Sequence, residues 1–111
     1  MILIVRIIVF YSRQAIENLS DILTGLVSWV KHPLAIEHAI IYVSDIRMTC
    51  DKLDTRTFHF NAQFPTHKRY GQKVYNYKRN KQTIWFIIYN LDQHGNVYIQ
   101  RIISNHLTAV D

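Results

Sequence analysis

Six cations fall within Lys68–Lys81 with no acid between them: Lys68, Arg69, Lys73, Lys78, Arg79 and Lys81. Tyr70, Tyr75 and Tyr77 are interleaved with them. Ammonium and guanidinium groups hold phosphates, and tyrosine rings stack on unpaired bases at about 1–3 kcal/mol per base. Such a segment suits a polyanionic partner, either nucleic acid or an acidic protein segment. Metal-free RNA cleavage needs three things: a base for the 2′-OH proton, an acid for the departing 5′ oxygen, and cations around the phosphorane charge. Basic and imidazole side chains supply all three. Lys73 and Lys78 could bind substrate phosphates or stabilise that charge, although solvated lysines on an edge strand would look the same.

Other chemistries find less support. The histidines form no i, i+4 pair and have no acid-flanked spacing, so a metal site is not expected. Gly25, Gly71 and Gly95 lie too far apart for a phosphate-cradling loop, and no cofactor is implied. Ser12 and Ser104 lack the context of an activated nucleophile. Cys50 stands alone and lies on an apolar helical stripe, so it reads as a buried, inert thiol. A reducing, cytosolic setting is the default expectation for such cysteine usage.

The 111 residues fit one domain, and with 49% hydrophobic residues they can build its core. The net charge of +5 lies wholly in residues 66–111, since residues 1–65 are balanced. Met1–Phe10 is apolar but short, with Arg6 inside it and no flanking signal features. It reads as a buried strand over Ile2–Phe10, covered on both faces, and not as a leader or a membrane span.

Ser12 is placed to cap a helix whose stripe is Ala15, Leu19, Ile22, Leu26 and Val30, with Gly25 marking a close neighbour. Pro33 ends that helix and suits the first turn of a second, which runs to about Leu53. Its stripe is Ile36, Ala39, Ile40, Val43, Ile46, Cys50 and Leu53. Residues Asp54–Gly71 read as a loop with room for a short strand at Phe58–Phe60. Strands follow at Lys73–Lys78, Thr83–Leu91 and Val97–Ile103, with turns at Asn80 and at Gly95. The expectation is α+β: a helical hairpin on one face of a four-stranded, mostly antiparallel sheet, in the order β-α-α-β-β-β.

That order resembles the RelE/ParE toxins of bacterial toxin–antitoxin pairs. The residues that carry the resemblance are the strand leading into Tyr11-Ser12-x-x-Ala15-x-x-x-Leu19-x-x-Ile22, and the Leu53…Pro65 segment. Trp85-x-Ile87-x-Tyr89 followed by Val97-x-Ile99-x-Arg101-Ile102 completes it. The resemblance implies either a ribonuclease that cleaves mRNA, often on the ribosome, or an inhibitor of DNA gyrase that needs no catalytic site. It also implies an acidic, helical antitoxin as partner, or a degenerate toxin that binds its antitoxin only. His106 resembles a histidine that some branches place past the last strand, and is the leading acid or base. Arg101 matches a recurrent arginine of the last strand. Phe86 stands where the ribonuclease branches often carry arginine, which points toward the binding-only readings.

Overall fold

The computed structural model describes residues 6–106. The part of the expected first strand that precedes Arg6 lies outside the described residues.

β1 (Val9–Tyr11) leads into Ser12, whose hydroxyl accepts a hydrogen bond from Ala15 N at 3.0 Å and opens α1 (Arg13–Ser28). α1 stops at Ser28 because Trp29 turns into extended backbone, which leaves Val30 94% exposed. The expected stripe therefore ends one turn early. Gly25 has no neighbour within 4 Å of an added Cβ, so it marks no close contact.

α2 (Ile36–Asp51) begins three residues after Pro33, not on it, and tightens into a 3-10 turn over Lys52–Thr55. Ala39, Ile46, Cys50 and Leu53 of its expected stripe are buried, whereas Ile36 and Ile40 are exposed. The segment expected as a loop contains β2 (Phe60–Asn61) and the single turn α3 (Pro65–Lys68). β3 (Lys73–Lys78), β4 (Ile84–Leu91) and β5 (Val97–Ser104) follow.

The sheet has five strands, not four, in the order β1-β5-β4-β3-β2. It is mixed: β1 runs parallel to β5 and the other neighbours are antiparallel. β1 is thus a short edge strand and not the doubly covered strand expected. Its apolar residues on both parities are accommodated differently. Val9 and Tyr11 pack against the helix-side core, while Phe10 stacks on Tyr98 at 4.9 Å on the other face.

One core joins the layers. Ala15 and Leu19 of α1, Ile46 and Cys50 of α2, and Leu53 meet Trp85, Ile87, Tyr89, Val97, Ile99 and Ile102 of the sheet. Trp85 Nε1 also donates to the Tyr42 hydroxyl at 2.9 Å, and the Tyr11 hydroxyl donates to Asp51, so α2 is fastened to both β4 and β1. The Cys50 thiol is fully buried, and burial foremost pushes its pKa up to about 12. It is inert at neutral pH.

One irregularity sets which residues face which side. Ile99 pairs with Tyr89 and Arg101 with Ile88, so Gln100 is an extra residue, a β-bulge. The bulge shifts the alternation. Ile99 and Ile102 both enter the core, and Arg101 turns to the reverse face, away from the helices. Side chains of the helical layer satisfy its polar groups: Ser12 Oγ donates to Gln100 O at 3.0 Å, and Asn18 Oδ1 accepts from Ile102 N at 3.0 Å.

The turn between β4 and β5 is held by Asp92, whose carboxylate accepts from His94 N, Asn96 N, Asn96 Nδ2 and the Tyr98 hydroxyl. These bonds, the Asn96 side chain first, hold its pKa down at about 2, and Gly95 supplies the positive φ of 85°.

Gly71 is required by closeness. A Cβ there would lie 2.9 Å from Ile88 Cγ2 and 3.1 Å from Tyr89 O. Ile88 is fully buried and backbone cannot yield cheaply. Gly71→Ala is expected to cost about 1–3 kcal/mol by overpacking. A thermal melt and a urea titration check it, and a melt unchanged from the parent protein would contradict this close packing.

Candidate nucleic-acid interface

Strand pairing places a row of polar residues across the helix-side face at the β2 edge. Asn61 pairs with Lys73, and Lys73 pairs with Tyr89. His59 precedes Asn61 by two residues, and strand alternation returns it to the same face. Its Nδ1 lies 2.6 Å from the Tyr89 hydroxyl. Lys73 Nζ donates to Asn61 Oδ1 at 2.5 Å. Arg56, just past the 3-10 turn, lays its guanidinium over the Tyr75 ring at 4.5 Å.

Burial first, then the charges of Lys73 and Arg56, hold the His59 imidazole below its ordinary pKa. Burial likewise pushes the Tyr89 phenol up to about 12, so it stays a neutral hydrogen-bonding group. A neutral imidazole donates a hydrogen bond from one nitrogen and can take up a proton on the other. Two cations beside it can hold a phosphate and spread the charge of its transition state. This is a set suited to metal-free phosphodiester chemistry.

The residues expected from the sequence do not converge on one place. Lys73 and Tyr75 lie in the His59 group. Lys78 pairs with Ile84 at the far end of β3, where His106 Nε2 lies 3.1 Å from Thr83 Oγ1. Lys73 and Lys78 stand at opposite ends of β3, so about 16–17 Å of strand separate them. A phosphate bound beside Lys73 is therefore out of reach of His106. His106 and Lys78 share one end of the sheet, and Lys81 is exposed in the turn beside them.

Arg101 lies on the reverse face, with its guanidinium over Tyr70 at 4.7 Å and Nη1 donating to Gln100 O at 2.9 Å. Arg69 approaches the same ring at 5.3 Å, and Lys68 at the end of α3 is exposed. Arg79 is held against α2: it bridges Asp45 at 3.2 Å and lies over Tyr42 at 4.7 Å. Tyr77 is half-buried against the core.

Sequence reading overlooked His59 and Arg56. The one available signal was the alternation Phe58-His59-Phe60, which sets the imidazole opposite two aromatic rings; nothing local announces its contact with Tyr89. Among the described residues, no group of three or more His, Cys, Asp or Glu is placed to hold a metal ion, and no helix is long and apolar enough to cross a membrane. Comparison with protein families, with characterised proteins and with solved structures finds no match for this chain.

Proposed function

We propose that this protein is the toxin of a two-component toxin–antitoxin pair of the RelE/ParE kind, acting as a metal-independent endoribonuclease on mRNA. The observation that carries the reading is the His59 group: a partly buried imidazole with Nδ1 2.6 Å from the Tyr89 hydroxyl, its pKa held down by burial and then by the charges of Lys73 and Arg56. In this scheme neutral His59 takes the 2′-OH proton as that oxygen attacks phosphorus, and water protonates the departing 5′ oxygen. Lys73 and Arg56 hold the phosphorane charge. Lys78, Arg101 and Lys68 bind the RNA strand, and Lys81 and Arg69 extend that basic surface.

The element order supports the fold side of the proposal. With the 3-10 turn, the two-residue β2 and the single turn α3 set aside, the described residues follow β-α-α-β-β-β with a single parallel pair. An acidic, helical antitoxin is the proposed partner. Ile36, Ile40, Ile41 and Met48 of α2 remain exposed, each by about half, and give such a helix an apolar face to cover.

The second reading is a gyrase inhibitor, or a toxin reduced to antitoxin binding. Phe86 favours it, since the ribonuclease branches often carry arginine there. Induction of the protein alone in growing bacteria separates the readings. Discrete mRNA ends within minutes, with translation falling first, are expected. Filamentous cells and a DNA-damage response with intact mRNA would replace the proposal by the gyrase reading. Undisturbed growth at verified soluble expression would refute an active toxin.

A further inference from the structure

The reverse face of the sheet carries a cavity of about 310 Å³ whose lining extends to Asn61 and Tyr75, at the boundary with the His59 group. Pairing sets its floor: Phe60 lies beside Val74, and Asn76 beside Phe86. Phe64, just before α3, closes the far wall, and Gln63 and Asn76 bring amide groups to it. His67 lines it too, with its ring 4.5 Å from that of Phe86 and edge-on to Phe64 at 5.4 Å. Only 6% of His67 is exposed, yet its Nδ1 has no hydrogen-bond partner. A buried nitrogen without a partner is uncommon in a folded protein, and because this atom is closed off from solvent, a small shift of the ring must bring it to the cavity.

We infer that this cavity receives a single unstacked nucleobase. The chemistry of its walls selects that class. Phe60, Phe64 and Phe86 offer flat apolar faces, while Gln63, Asn76 and His67 Nδ1 offer donors and acceptors to the edge of a ring. Among the described residues no charged side chain lines the cavity, so none supplies a counter-charge to a phosphate or carboxylate inside it. The volume is near the lower end of ligand pockets and is enough for one base. Charge lies at the rim instead. Lys68 follows His67, and Lys78 shares the face of Asn76 two residues on, about 7 Å along the strand. Base inside and phosphate outside is how single-stranded RNA is read by sequence. Burial also holds His67 below its ordinary pKa, so the ring is neutral when it meets the base. The choice of a nucleobase among flat heteroaromatic rings rests on the RNA reading above. If both hold, β2 links the two sites: Phe60 in the cavity wall is the neighbour of His59 in the reactive group.

The test uses the whole chain and uncharged probes. Adenosine, guanosine, cytidine and uridine are titrated separately to millimolar concentration, and the nitrogen resonances of the Gln63 and Asn76 side chains and the His67 ring are followed. One nucleoside is expected to shift all three groups more strongly than the others. Phe64 and Asn76 are exposed, so Phe64→Ala and Asn76→Ala should fold. Phe64→Ala should weaken binding about 5- to 100-fold, as the loss of one aromatic stack does, and Asn76→Ala should narrow the preference among bases. No response to any nucleoside, or parent-like binding by both variants, would overturn the inference. Salt-dependent binding of oligoribonucleotides separately tests the RNA reading. Oligomer binding with no nucleoside response removes the base pocket and leaves RNA binding intact. Nucleoside binding with no oligomer binding sustains the pocket and refutes the RNA reading.

Discussion

His59→Ala is expected to lower RNA cleavage about 10²–10⁴-fold, the usual cost of losing a general acid or base. The variant should remain folded, because His59 is only partly buried. It does leave the buried Tyr89 hydroxyl without its partner, at a cost of about 1–3 kcal/mol. His59→Gln restores a hydrogen-bonding group but no titrating ring, so it should recover stability without recovering activity. The pH profile carries a further signature. Burial, Lys73 and Arg56 depress the His59 pKa, so the ring loses its proton at a lower pH than an ordinary imidazole. A rate that needs the neutral ring should hold level through pH 7 and decline only below the ordinary imidazole range. Lys73→Met removes one depressing charge, and the decline should then move to higher pH. Full activity in folded His59→Ala protein would remove the residue from the mechanism and return attention to His106 and Lys78.

The largest effect on stability is expected at Ile99. It is fully buried in β5, pairs with both Tyr11 and Tyr89, and belongs to the core that joins sheet and helices. Ile99→Ala leaves a cavity bordered by β1, β4 and the helical layer, at about 2–5 kcal/mol. For a domain of this size that lowers the melting temperature by roughly 10–25 °C. Calorimetry beside urea unfolding checks it. A loss under about 1 kcal/mol would mean that this region collapses around the deletion and that the core is looser than described.

Periodicity carried most of the architecture. The Ser12 cap, the buried Ala15–Leu19 and Ile46–Cys50 positions, and the turn at Gly95 are all local signals, and each appears in the structure. What was illegible depends on distant partners. β1 reads as a central strand because Phe10 is apolar, yet Phe10 stays 42% exposed and has only a stacking contact with Tyr98, 88 positions along the chain. Arg101 reads as sharing a face with Ile99, because nothing in the sequence announces the bulge at Gln100 that divides them. The basic run was plain as a composition, but its members point to different faces and ends. His59 escaped notice for the same reason: its hydrogen-bond partner is 30 residues away.

The central claim, RNA cleavage by this chain without a metal, is tested most directly with purified protein and a defined single-stranded mRNA fragment, free and on ribosomes, in excess chelator. The expected result is cleavage at discrete positions, leaving 2′,3′-cyclic phosphate and 5′-hydroxyl ends, as attack by the 2′-OH requires. RNA left intact in both settings, or cut only when a divalent metal is restored, would contradict it.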